Sequence, residues 1–229
     1  MITILLILSV IVGVFLGKFF GSNERFAKNL LILSAGFLIT VCVLEVFPEV
    51  YSTSDHNIGV WIIGGVLLQM ILESLTKGFE HGHFHNHHEE KNILPIALMF
   101  GMFIHAFLEG IPLANITETT SPYLLGIVFH NLPISFILGA FLLGRKSSVL
   151  SWIIVGIFAL SSPLGMLFGD YFNPNLQNYF LALVGGIFLH ISSVIIFESN
   201  KNHKMDWMKI ILVIAGVGLA LVNHIFHSH

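Results

Sequence analysis

The sequence has few charged residues and a single cysteine. Lysine, arginine, aspartate and glutamate make up 10% of its 229 residues, against about 25% in a typical soluble domain. The scarcity of basic residues argues against a nucleic-acid-binding face, and the single Cys42 excludes an intramolecular disulfide framework and a cysteine-based zinc finger. Hydrophobic residues make up 55% of the chain, and the mean hydropathy is +0.86. These apolar side chains must face lipid, so the sequence predicts an integral membrane protein.

Long apolar runs fill most of the chain. A helix needs roughly 17–25 mostly apolar residues to cross the hydrocarbon core of a bilayer. Eight runs reach that length, at 2–20, 30–50, 58–76, 93–114, 121–143, 148–169, 179–198 and 208–226. We therefore predict an all-α fold in which residues 1–229 form one eight-helix transmembrane domain. The first run has no basic segment before it and no small-x-small cleavage site, so we expect a retained helix rather than a signal peptide.

The basic residues all flank alternate connections between these runs. They are Lys18, Arg25, Lys28, Lys77, Lys91, Arg145, Lys146, Lys201, Lys204 and Lys209. Because basic residues accumulate on the cytoplasmic side of a membrane, we expect both termini to be extracytoplasmic. The histidine-rich connection at 77–92 is then a cytoplasmic loop, and its composition indicates divalent metal binding or a solvated tract without a ligand. The short connections favour a bacterial inner membrane.

Three titratable side chains have similar predicted depths in the fourth and fifth runs. His105 and Glu109 are one helical turn apart on the same helix face, and His130 lies in the next run. At 1.5 Å per residue, the three differ by roughly 6 Å in depth. Because a titratable group inside a membrane is costly and is a functional candidate, we interpret them as metal ligands. A structural His–Glu pair between the two helices is the alternative.

Several other polar residues are weaker candidates. His190 has a predicted mid-membrane depth in the seventh run. Glu45 either lines an entrance or reaches the membrane interface, and we interpret Glu73 as interfacial. His224, His227 and His229, near the C-terminus, belong to a frayed helix end or, as the alternative, gather metal.

These features together resemble the ZIP (zinc/iron permease) family of divalent-metal transporters. The local resemblance rests on Leu-Glu-Val-Phe-Pro-Glu at 44–49, His-Ala-Phe-Leu-Glu-Gly at 105–110, His-Asn-Leu-Pro at 130–133, Ser-Pro-Leu-Gly at 162–165 and Gly-Gly-Ile-Phe-Leu-His at 185–190. These segments are similar to the family patterns H-x-x-P-E, H-x-x-x-E-G, H-E-x-P or Q-D-x-P, E-P-L-G or T-P-L-G, and A-G-x-F-L-Y. The resemblance implies a three-plus-two-plus-three helix arrangement with rigid-body movement of one bundle against the other. It also implies a transport site made of His105, Glu109, His130 and Asn131.

Three positions depart from the family pattern. Ile134 replaces a common Glu or His, Ala106 replaces a common Asn or Ser, and Ser162 replaces the helix-six acid of two-metal members. The resemblance therefore implies a mononuclear site, to which His190 can add a compensating ligand.

We predict transport of Zn²⁺ into the cytoplasm, with Fe²⁺, Mn²⁺ and Cd²⁺ as alternative ions. Imidazoles and one carboxylate suit such ions better than the hard ions calcium and magnesium. The metal ion is the substrate and the lipid bilayer the environment; we expect no cofactor, no nucleic-acid partner and no enzymatic activity, and we leave a homodimer open. Two other functions are an intramembrane zinc-dependent hydrolase of lipid amides, using metal-activated water, and a transport-deficient metal sensor.

Overall fold

Eight helices make up most of the part of the chain that the computed structural model describes, which is residues 1–21, 23–53, 55–76, 96–143, 148–198 and 207–227. They are α1 (Ile2–Phe20), α2 (Glu24–Tyr51), α3 (Ile58–Thr76), α4 (Ile96–Gly110), α5 (Pro122–Leu143), α6 (Val149–Gly169), α7 (Pro174–Glu198) and α8 (Trp207–His227). A 3₁₀ turn, Ile111–Asn115, continues α4. Each helix, with α4 taken together with its 3₁₀ turn, is long and apolar enough to cross a membrane, and the described residues contain no β-strand. The predicted all-α fold with eight spans is confirmed, whereas the histidine-rich loop at 77–92 lies outside the described residues.

Two helices begin earlier than the apolar runs predicted. α2 starts at Glu24 because the side chain of Asn23 accepts a hydrogen bond from the backbone N–H of Phe26, at 3.1 Å. α7 starts at Pro174, where the side chain of Asn173 accepts a hydrogen bond from the Leu176 N–H at 2.8 Å. Such side-chain caps satisfy backbone donors that the helix itself leaves unpaired. Hydropathy alone missed these polar first turns because it registers only the apolar part of a helix.

Glycine residues let neighbouring helices approach at the level of their backbones. A Cβ atom built on Gly65 of α3 would lie 1.8 Å from the carbonyl oxygen of Leu183 on α7, and one built on Gly186 of α7 would lie 1.9 Å from that of Ile62. Small residues allow such close packing in a membrane, where the hydrophobic effect does not drive helices together. The same reciprocal contact joins α1 to α5 through Gly17 and Gly139, α2 to α8 through Gly36 and Gly216, and α4 to α6 through Gly110 and Gly165.

These contacts organise the helices principally as four pairs. The three-plus-two-plus-three arrangement stays a prediction. Helix α5 is the most enclosed of these helices. In an 18-residue apolar stretch of α5, 67% of the residues are buried in the protein, whereas in the corresponding stretch of α8 only 11% are buried. The helix that carries His130 is therefore shielded from lipid over most of its length.

The contact between α3 and α7 can be tested with two adjacent glycines. We expect Gly65→Ala to lower the free energy of unfolding by about 1–3 kcal/mol, because the added methyl group overpacks the contact with Leu183. Gly64→Ala is the matched control, since a Cβ atom there meets nothing within 4 Å and alanine should stabilise the helix by about 0.5–1 kcal/mol. Thermal unfolding of both variants in detergent measures the difference. Equal melting temperatures would contradict the close approach.

Candidate metal centre

A carboxylate and two imidazoles meet in the protein interior, on α4 and α5. Nε2 of His105 lies 2.9 Å from Oε1 of Glu109, and Nε2 of His130 lies 4.0 Å from the same oxygen. One ligand atom from each residue lies within 4.8 Å of the other two. Side-chain exposure is 2% for His105 and 0% for both Glu109 and His130. The structure thus brings together the three residues for which the sequence predicted a common depth.

This cluster has the composition of a site for a divalent cation. Imidazole nitrogen and carboxylate oxygen are the ligands that Zn²⁺ and related first-row metals accept. Oε2 of Glu109 is buried and has no hydrogen-bond partner among the described residues. Burying a carboxylate is costly unless an opposite charge or hydrogen-bond donors compensate it. Of the residues that the structure describes, these form the one group of three or more acidic, histidine or cysteine side chains spaced to hold a metal ion.

Gln69 on α3 orients one of the two imidazoles. Its Oε1 atom lies 3.1 Å from Nδ1 of His105, and both side chains are buried. Because an amide oxygen only accepts hydrogen bonds, Nδ1 is the donor, and in the neutral imidazole Nε2 keeps its lone pair for a ligand. Metal-binding histidines are commonly held through the second ring nitrogen in this way. Gln69 was not predicted as a site residue, although an amide in the middle of the apolar run at 58–76 is a signal in the sequence.

The end of α4 is fixed close to the cluster. Pro112 has no backbone N–H and disfavours a regular α-helix here, and a 3₁₀ turn follows Gly110. The hydroxyl of Tyr123, at the start of α5, donates a hydrogen bond of 2.9 Å to the carbonyl oxygen of Glu109. This bond ties α5 to α4 at the residue that carries the carboxylate.

The other two predicted ligands are Asn131 and His190. Asn131 is buried and directly follows His130, and its role as a ligand stays a prediction. His190 on α7 places Nε2 2.8 Å from Oε2 of Glu73 on α3, and it does not belong to the group of three. Glu73, which was predicted to be interfacial, is thus the partner of a histidine. The pair escaped prediction because hydropathy does not reveal which helices are neighbours.

The role of Gln69 can be tested by metal titration. We expect Gln69→Leu to weaken divalent-metal binding by about 10–100-fold, as is typical when a metal-binding histidine loses its supporting partner. The matched control is Gln177→Leu, because Gln177 is also buried but donates to the carbonyl oxygen of Gly169. Zinc affinity at the cluster is measured by calorimetry with the histidines of residues 77–92 replaced by alanine in both variants. Equal affinities in the two would show that Gln69 does not support a metal ligand.

Comparison with known proteins identifies the family. No match was found among curated protein sequences. A sequence model described as the ZIP zinc transporter matches residues 80–224. The match covers more than half of the chain and includes the three clustered residues on α4 and α5. The chain therefore belongs to the ZIP zinc transporter family, whose members are membrane transporters of divalent metal ions and not enzymes.

Proposed function

We propose that this protein carries Zn²⁺ into the cytoplasm through a single metal site between α4 and α5, and that Fe²⁺, Mn²⁺ and Cd²⁺ compete for the same site. His105, Glu109 and His130 are the protein ligands, and Asn131 is a further candidate. The observation that carries this proposal is the buried cluster in which ligand atoms of two histidines and one glutamate lie within 4.8 Å of one another.

The tautomer of His105 supports a cation at this position. Because Nδ1 donates to Gln69, a neutral imidazole directs the lone pair of Nε2 towards Oε1 of Glu109, at 2.9 Å. Two acceptors at that distance repel each other unless a proton or a cation lies between them. A divalent ion shared by the nitrogen and the oxygen removes this repulsion and neutralises the buried carboxylate.

The surroundings of the cluster support one ion rather than two. Ile134 lies one helical turn after His130, on the same face of α5, and is buried with 1% exposure. Ser162 on α6 is also buried and carries a hydroxyl in place of a carboxylate. Neither position supplies the charged ligand that a second divalent ion would need. Three protein ligands leave part of the coordination shell to water, so the ion can be released as well as bound.

Removing the carboxylate charge tests transport directly. We expect Glu109→Gln to lower zinc flux into proteoliposomes loaded with a fluorescent chelator by at least about tenfold, because losing a ligand costs no less than losing a supporting residue. Glu24→Gln is the control, since Glu24 is an exposed acid at the start of α2. Saturable wild-type flux that persists in Glu109→Gln would contradict the proposed site. Saturable zinc binding without any wild-type flux would instead favour the metal sensor.

Acidification should also lower flux. Histidine titrates around pH 6.5, and a protonated imidazole cannot coordinate a metal ion. We therefore expect initial zinc flux at a fixed free zinc concentration to fall as the pH decreases from about 7.5 to about 5, with equal pH on both sides of the membrane. As a control, zinc is admitted through an added ionophore at each pH, which measures how the fluorescence of the chelator itself depends on pH. Flux that stays constant across this range would argue against ligation by histidine.

A further inference from the structure

A second histidine and glutamate pair lies outside the buried cluster. Nδ1 of His224, in the last turn of α8, is in direct contact with Oε1 of Glu45 on α2. The side chains are 35% and 24% exposed, so both reach the protein surface. The sequence singled out each residue separately, but their contact depends on the packing of α8 against α2.

Glu45 lies in an irregular part of its helix. Residues Cys42–Val46 form a π-helical turn between the two regular parts of α2. Single π-helical turns inside α-helices occur frequently at functional sites. The pair is not needed to bring α2 and α8 together, because Gly36 and Gly216 already place their backbones in contact.

Neighbouring contacts hold the last turn of α8 in position. The side-chain amide of Asn223 donates a hydrogen bond of 3.1 Å to the carbonyl oxygen of Thr120. Nδ1 of His227 lies 3.5 Å from Oε2 of Glu118. Both partners precede α5, so the turn that carries His224 is attached to α2 and to the connection between α4 and α5.

The membrane face around this pair is negative. The helix ends and connections at 42–59, 111–124 and 169–178 contain acidic residues but no lysine or arginine, and 218–229 contains no aspartate, glutamate, lysine or arginine. Hydrogen bonds from the backbone N–H of Asn57 and from the Tyr179 hydroxyl hold the pKa of the Asp55 carboxyl below its ordinary value, so Asp55 is ionised at neutral pH. A surface of one charge sign raises the local concentration of opposite ions, so this face attracts cations.

We propose that Glu45 and His224 form a second, weaker site for a divalent metal ion, at the membrane face where α2 and α8 end. One carboxylate oxygen and one imidazole nitrogen bind the ion, and water completes its coordination. The exposure of this pair contrasts with the enclosure of the α4–α5 cluster, so an ion from solvent reaches Glu45 and His224 without passing through the protein interior. Under the predicted topology this face is extracytoplasmic, and the site captures the ion before transport.

Metal binding can be measured at this pair alone. The full-length background variant carries Glu109→Ala and His190→Ala together with alanine at the histidines of residues 77–92, which disables the central cluster, the pair of His190 with Glu73 and the histidine-rich segment as zinc-binding candidates. Zinc titration by calorimetry is then repeated with His224→Ala, with Glu45→Gln, and with His56→Ala as the control. His56 is an exposed histidine at the same membrane face, and Glu45→Gln retains nearly the shape of the glutamate while removing its charge.

We expect the background variant to bind zinc, and both His224→Ala and Glu45→Gln to bind it at least about tenfold more weakly, whereas His56→Ala binds as the background does. A background variant that binds no zinc, or unchanged affinity in His224→Ala and Glu45→Gln, would overturn the proposal. Transport is tested separately by wild-type flux and its loss in Glu109→Gln. A failure of that test leaves the binding result at Glu45 and His224 interpretable.

Discussion

The need to compensate one buried carboxylate, that of Glu109, determines how the centre of this protein is built. An uncompensated charge inside a membrane protein is costly, and several helices contribute to its environment. Helix α4, which carries Glu109, also supplies His105, and α5 supplies His130. Helix α3 supplies Gln69, which sets the tautomer of His105. Side chains from three helices thus contribute to the environment of one buried charge.

Helix α3 contacts two histidines that lie on different helices. Gln69 and Glu73 are one turn apart on the same face, and they contact His105 of α4 and His190 of α7, respectively. The first pair is buried and belongs to the metal centre, whereas the second is partly exposed, with side-chain exposures of 14% and 26%. A polar line on α3 therefore leads from the enclosed centre towards the end of the helix at Thr76. The other face of α3 presents apolar residues to lipid.

Local properties of the sequence predicted much of this structure. The length of the apolar runs predicted the membrane spans. The spacing of His105 and Glu109, together with the estimated membrane depth of His130, predicted the central cluster. The contacts of Gln69, Glu73 and Glu45 could not be predicted, because each depends on which helices are neighbours. Glycine contacts determine much of the helix pairing. The sequence does not distinguish a glycine that packs against the backbone of another helix from a glycine that has no neighbour at its Cβ position. Gly65 and Gly64 are adjacent examples of the two.

The π-helical turn in α2 has a consequence for the register of the helix. Each residue advances an α-helix by about 100°, so the wider turn at Cys42–Val46 changes the face on which Phe47–Tyr51 lie relative to an uninterrupted helix. Deletions and insertions in this segment are therefore not equivalent. Deleting one residue returns α2 to regular geometry and leaves its final segment on nearly the face that it now occupies, whereas inserting one enlarges the irregularity.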